Sequence, residues 1–173
     1  SGGITSFLDM PNNKPAAITV ESVLAKIESA SKKCITNYGF FIGATPHNIE
    51  ELQKAVGKPG AGIAITGICG IKIFMGSSTG DLLVYEEEHL ANIFEKTAGL
   101  IAVHAEDENR LKQRIKLMNN RNDIAAHAEW RDDVTALNAT QLAVGFAKKT
   151  GHRLHILHLT SGIEADFLSE LNK

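Results

Sequence analysis

This chain of 173 residues has few cysteines and few aromatic residues, and its positive and negative charges nearly balance. The two cysteines, Cys34 and Cys69, lack CxxC spacing, which argues against a zinc ribbon or a disulfide-stapled secreted domain and predicts a reducing, cytoplasmic location. A formal net charge of -2 without a basic stripe predicts that the chain does not bind nucleic acid. The longest weakly polar run, Gly60 to Ile71, is shorter than the ~20 residues of a membrane helix, so we expect no membrane-spanning or targeting segment.

The remaining composition is that of a globular protein, with 43% hydrophobic and 22% charged residues. Short apolar runs alternate with longer segments of helical period, and this alternation is typical of βα units that build a parallel sheet. Several runs are apolar nearly throughout, as in strands covered on both faces. The predicted strands are Ile4 to Met10, Tyr38 to Gly43, Gly70 to Met75, Leu100 to His104 and Arg153 to Leu159.

End signals and apolar stripes predict helices between these strands. Thr45 and Pro46 have the residue types of an N-cap and a first helical position. Ser161 and Glu164 have the spacing of a capping box, which would begin the last helix. A long helix closed by Gly151 is expected to bury one stripe. That stripe consists of Val134, Leu137, Gln141 and Val144.

Two histidines lie at or near the ends of predicted strands, which is where active-site residues lie in parallel α/β proteins. His104 ends the fourth strand, and His158 comes near the end of the fifth. A single histidine is more often a structural residue than a metal ligand, but two at equivalent positions favour ligation. Because side chains alternate along a strand, His155 and His158 should face opposite ways. We therefore expect His158 to face the site and His155 to lie beneath the helices.

Lys72 interrupts an otherwise apolar strand, where a buried ammonium group would be costly or would lose its proton. A neutral amine in a dry pocket is a nucleophile. Three roles fit it: a Schiff base, a general base with a lowered pKa, or a carbamate formed with carbon dioxide that then supplies oxygen ligands to a metal. Histidine nitrogens together with such an oxygen donor suit zinc.

Other polar residues near these strands have two interpretations each. Glu106 and its acidic neighbours could hold His104 in place, although acids that open a helix are also explained by the helix dipole. Asn12 follows the first strand, where it could bind a polar substrate group or only form a turn.

Four segments together resemble dihydroorotase, a member of the cyclic amidohydrolases. They are Gly2 to Asn12, Gly70 to Ser77, Ile101 to Asp107 and Leu154 to Leu159, and their order and spacing are specific. The resemblance implies an α/β fold in which this chain is part of a (β/α)8 TIM-type barrel. It also implies two zinc ions bridged by carboxylated Lys72 and by a hydroxide that attacks a ring amide. His104 and His158 fall on the histidines that hold the second metal, and Asn12 falls on the substrate-binding asparagine.

The sequence departs from the family's pattern in two ways. No HxH pair occurs, and no residue corresponds to the ligating aspartate that serves as general base, so we assign no catalytic residue within the chain. We expect residues 1–173 to be the central part of the barrel, about five βα units of eight, and inactive alone. The rest of the barrel is then a partner, beside dihydroorotate or carbamoyl aspartate as substrate, and a homo-oligomer is possible. The alternatives are allantoinase or dihydropyrimidinase activity, or a non-catalytic scaffold subunit.

Overall fold

Five parallel strands form one sheet in the order in which they occur along the chain. The computed structural model describes residues 2–61, 65–77, 80–121 and 123–171. The predicted α/β fold with a parallel sheet is confirmed. The strands are β1 (Ser6–Asp9), β2 (Asn37–Gly43), β3 (Ile68–Phe74), β4 (Leu100–His104) and β5 (Arg153–Ile156).

Helices connect each strand to the next, as expected for βα units. None of the helices in the described part of the chain is long and apolar enough to cross a membrane. One helix follows β1 and another follows β2, while β3 is followed by a 3-10 turn and a helix. Three helices follow β4, with a 3-10 turn between the first two. The helices are α1 (Val20–Lys33), α2 (Ile49–Val56), α3 (Glu87–Lys96), α4 (Glu108–Arg114), α5 (Ile124–Trp130), α6 (Asp133–Thr150) and α7 (Gly162–Glu170).

The core lies between one face of the sheet and the helices. Alternate residues of the central strands, such as Ile71, Ile73 and Ile101, are fully buried on this face. They pack in one cluster with Leu90 of α3 and Ala143 of α6, among others. Since strand side chains alternate, the residues between them, including Lys72 and Ala102, point to the opposite face.

The predicted cap of the second helix is wrong. The helix begins at Ile49 with Asn48 as its N-cap, rather than after Thr45. The Asn48 side chain accepts a hydrogen bond from the Thr45 backbone N–H at 2.8 Å and donates to the carbonyls of Ile18 and Gly43, each at 2.8 Å. Asn48 therefore ties the loop after β2 to the loop after β1, which delays the start of the helix.

The predicted stripe of the long helix is mostly wrong. Gln141 is exposed, Val134 is 37% exposed, and Val144 is the member of the stripe that is buried. The buried positions of α6 are instead Thr135, Ala139, Thr140, Ala143, Val144 and Ala147. These residues are mostly small, so the helix can approach the sheet closely.

The predicted capping box of the last helix is also wrong. α7 does begin after Ser161, but the Ser161 side chain makes no capping hydrogen bond. Glu164 is buried, and its carboxylate accepts a hydrogen bond from the Thr140 hydroxyl at 2.6 Å. The side chain that would complete the box therefore joins α7 to α6 instead.

Candidate metal centre

His104 and His158 meet at the carboxyl edge of the sheet. His104 is the last residue of β4, and His158 follows the end of β5 by two residues. His104 Nδ1 lies 3.0 Å from His158 Nε2, and the ring centroids are 4.8 Å apart. Both rings line a cleft of about 750 Å³, which also includes Arg131, Ser161 and Glu164. The structure thus brings together the two histidines that the sequence placed at strand ends.

His158 reaches this position by a different route from the one predicted. β5 ends at Ile156, and His158 has a φ of +37°, in the left-handed region that residues other than glycine rarely adopt. Alternation along a strand therefore does not fix its direction. His155 pairs in register with Ala102, which pairs with Lys72, so all three share the face opposite the helices. The expectation that His155 lies beneath the helices is wrong, and its side chain is exposed.

Lys72 is buried, as its position in an apolar strand suggested, with 2% of its surface exposed. Its Nζ donates a hydrogen bond to the Ile73 carbonyl at 2.9 Å and lies 4.0 Å from the centroid of the Phe74 ring. Burial lowers the pKa of the amine from 10.5 to about 7. Lys72 pairs in register with Ala102, two residues before His104 on β4, so the lysine and the histidine lie on the same face of the sheet.

Glu106 links His104 to an arginine from a later loop. His104 Nε2 lies 2.6 Å from Glu106 Oε2. Arg131 donates to both carboxylate oxygens, with its Nε 2.7 Å from Oε1 and its terminal nitrogen on Oε2. Burial alone would raise the pKa of Glu106, but hydrogen bonds and charge from His104 and Arg131 outweigh it and hold the pKa at about 2. Of the two sequence interpretations of Glu106, the structure supports contact with His104.

Asp107, the acid next to Glu106, belongs to the start of the helix that follows. The Asp107 side chain caps α4 by accepting a hydrogen bond from the Arg110 backbone N–H at 3.0 Å.

Burial and the charge of His104 lower the pKa of His158, in that order. A neutral His158 imidazole is the form that can bind a metal ion.

Asn12 lies in the loop after β1, also at the carboxyl edge of the sheet, and its side chain is exposed. Its neighbour Asn13 accepts a hydrogen bond from Lys26 Nζ at 2.5 Å. Asn12 is therefore free to meet a ligand at this edge, while its neighbour stabilises the loop.

Arg131 is the residue of this site that sequence reasoning missed. It caps the carboxyl end of α5, a helix of seven residues that no sequence pattern predicted. Twenty-five positions separate it from Glu106, and nothing in either local sequence indicates their contact. Only the connection between α5 and α6, which returns to the carboxyl edge of the sheet, brings them together.

The histidine pair fits a metal ion in part. Two nitrogens bound to one tetrahedral zinc ion lie roughly 3.4 Å apart, close to the observed separation. Within residues 2–61, 65–77, 80–121 and 123–171, no group of three or more His, Cys, Asp and Glu side chains is arranged to hold a metal ion. Lys72, buried on the same face of the adjacent strand, is the candidate for a further donor of another kind.

Comparison with known proteins finds relatives among the cyclic amidohydrolases. The chain is 34% identical over 174 aligned residues to an allantoinase of Deinococcus radiodurans, which covers 94% of this chain and 36% of that protein. It is 32% identical to a dihydroorotase of Methanosarcina mazei, with coverage of 93% and 34% respectively. The chain therefore spans about a third of the length of these relatives. No family model matches it.

Solved structures show the same fold. An L-hydantoinase (dihydropyrimidinase) from Arthrobacter aurescens superposes with a TM-score of 0.85 at 23% identity, over 99% of this chain and 38% of that one. A D-hydantoinase from Bacillus sp. AR9 superposes with a TM-score of 0.75 at 23% identity, over 99% of this chain and 37% of that one. Since the hydantoinases are TIM-type barrels, the predicted partial-barrel architecture is confirmed.

Proposed function

We propose that the protein to which this chain belongs is a zinc-dependent hydrolase of cyclic amides, and that its reaction is the reversible interconversion of carbamoyl aspartate and dihydroorotate in pyrimidine synthesis. The observation that carries the proposal is the pair of imidazole nitrogens 3.0 Å apart at the carboxyl edge of the sheet. A buried lysine lies on the same face of the adjacent strand. Homology to cyclic amidohydrolases over most of the chain agrees with it.

Lys72 would act as a carbamate. Because burial lowers its pKa to about 7, much of the amine is neutral at physiological pH, and its lone pair is available. The nitrogen adds to the carbon of carbon dioxide and releases one proton, which leaves an anionic carbamate with two oxygen ligands. Such an oxygen donor supplies what the histidine pair lacks.

His104 and His158 would hold a zinc ion together with carboxylated Lys72, in a centre that takes two ions in the whole enzyme. Bound zinc would polarise the ring carbonyl and make a water molecule nucleophilic near neutral pH. The chain's own residues keep the site in order: Glu106 orients His104, and Phe74 packs beside both Lys72 and His104. Asn12, exposed at the same edge, would bind the substrate carboxylate.

Two sets of observations bear on the identity of the ring. The stretch Met10-Pro11-Asn12 and the dihydroorotase relatives favour dihydroorotate. The allantoinase relatives favour allantoin, so allantoinase is the second candidate. The chain would contribute five of the eight βα units, with the rest of the barrel as its partner. A cytoplasmic location stays a prediction from the cysteines.

The proposal is tested on the full-length protein with zinc and bicarbonate supplied. We expect hydrolysis of dihydroorotate, with allantoin and dihydrouracil assayed in parallel, and loss of at least a thousandfold in Lys72→Ala. Faster turnover of allantoin would transfer the assignment to the second candidate. Absence of turnover on all three rings, together with no zinc in the purified protein, would favour the scaffold subunit instead.

A further inference from the structure

Glu106 contacts two residues from different parts of the fold, a histidine on β4 and an arginine at the end of α5. Its side chain is 13% exposed, and those of His104 and Arg131 are 17% and 25% exposed. All three are thus largely withdrawn from water, where hydrogen bonds to a charged group are strong and directional.

The bonding pattern fixes which ring nitrogen of His104 carries the proton. A carboxylate that accepts two hydrogen bonds from a guanidinium group has no proton to donate. The contact between His104 Nε2 and Glu106 Oε2 must therefore be an N–H donated by the ring. In the neutral imidazole this leaves Nδ1 with a lone pair, and Nδ1 is the atom that faces His158 at 3.0 Å.

Arg131 is itself held in place by its neighbour in sequence. Asp132 is the N-cap of α6 and accepts hydrogen bonds from the Thr135 backbone N–H at 3.0 Å and from the Arg110 Nε at 3.0 Å. The link between α5 and α6 is thus tied to α4 on one side and to α6 on the other. An arginine on such a support can hold a carboxylate in one orientation.

We propose that Glu106, oriented by Arg131, is the positioning residue of His104: it keeps the imidazole proton on Nε2 and leaves Nδ1 free to bind a metal ion. This inference rests on the proposed function for the identity of the ligand, but the state of the ring can be measured without any metal. A purely structural role for the Glu106–Arg131 ion pair, as a clamp on the α5–α6 link, predicts no effect on that ring.

The first test is made on the metal-free full-length protein with ¹⁵N-labelled histidine, by long-range ¹H–¹⁵N spectra at a pH at which the histidine rings are neutral. We expect His104 to be the Nε2–H tautomer in the wild type and a mixture of both tautomers in Glu106→Gln. The control is Glu129→Gln, because Glu129 on α5 also pairs with an arginine, Arg121, and makes no hydrogen bond to a histidine in the described part of the chain. A proton on Nδ1 in the wild type, or an unchanged tautomer in Glu106→Gln, overturns the inference.

The second test measures zinc affinity by competition with a chromophoric chelator. Loss of a residue that orients a ligand typically weakens metal binding roughly 10–100-fold, which is the effect expected for Glu106→Gln relative to Glu129→Gln. Arg131→Gln should weaken binding about tenfold, and Arg131→Lys should restore part of it. Equal affinity in Glu106→Gln and Glu129→Gln would contradict the inference. Equal affinity in His104→Asn and the wild type would instead contradict the proposed metal site, and the tautomer test would still decide the role of Glu106.

Discussion

The two faces of the sheet differ in what their side chains do, although the same strands supply both. Toward the helices, Ile71, Ile73 and Ile101 are fully buried in the core. On the other face the same strands carry Lys72 and His104, which are costly to bury and reactive. Because successive side chains point to opposite faces, a strand of only five to seven residues supplies core residues on one face and reactive residues on the other. Substitutions on the two faces should accordingly have opposite effects on the free energy of unfolding.

The largest effect is expected on the helical face. Ile101→Ala removes a fully buried side chain and leaves a cavity that the surrounding helices fill only in part, so it should lower the free energy of unfolding by about 2–5 kcal/mol. Urea denaturation measures this loss. Ile35→Ala is the matched control, because Ile35 is 92% exposed, and it should cost under about 0.5 kcal/mol. Equal losses in the two variants would contradict the division of the sheet.

On the opposite face, Lys72→Met should stabilise the metal-free chain. The folded chain binds this proton more weakly than the unfolded one, because its pKa is about 7 against 10.5. The lysine therefore destabilises the fold most below pH 7, and this penalty shrinks as the pH rises toward 10.5. The gain in Lys72→Met should be on the order of 2–4 kcal/mol at pH 6 and close to zero above pH 10.5.

Urea denaturation from pH 6 to pH 11, with a chelator present, measures this dependence. Lys116→Met, at an exposed lysine, is the control. A gain from Lys72→Met that does not vary with pH would mean that the amine is not buried as described.

The smallest effect on stability is expected for His158→Asn, which should act on zinc binding instead. The ring is exposed, and asparagine tolerates a left-handed backbone, so the free energy of unfolding should change by less than about 1 kcal/mol. Zinc affinity should nevertheless fall by roughly tenfold or more, since one of two nitrogen ligands is lost. Chelator competition measures it, with His47→Asn as control. A large loss of stability without a loss of zinc binding would reverse this assignment.

The three central strands could be predicted from the sequence because burial on both faces requires continuous apolar runs, and such runs are visible locally. The helix ends were predicted less well, because their caps depend on neighbours distant in sequence. Asn48 bonds to a carbonyl thirty residues earlier, and Glu164 is taken up by a threonine on another helix. Neither partner could be read from the local pattern.

The candidate site divides in the same way. His104 and Lys72 could be identified because each is a polar residue in an apolar strand, which is a local signal. His158 was expected to face the site, but the alternation argument behind that expectation does not hold, since the direction of the ring depends on where β5 ends and on one backbone angle. Arg131 had no signal at all, because its contact with Glu106 depends on the path of the chain between α5 and α6.

The left-handed backbone of His158 has a consequence for how such proteins change over evolutionary time. A side chain in that conformation costs on the order of 1–3 kcal/mol, which glycine avoids. Once a descendant no longer needs the imidazole, drift should replace it with glycine, because glycine relieves the strain. In a set of related chains, the residue at this position would then distinguish copies that are still catalytic from copies that have only a structural role.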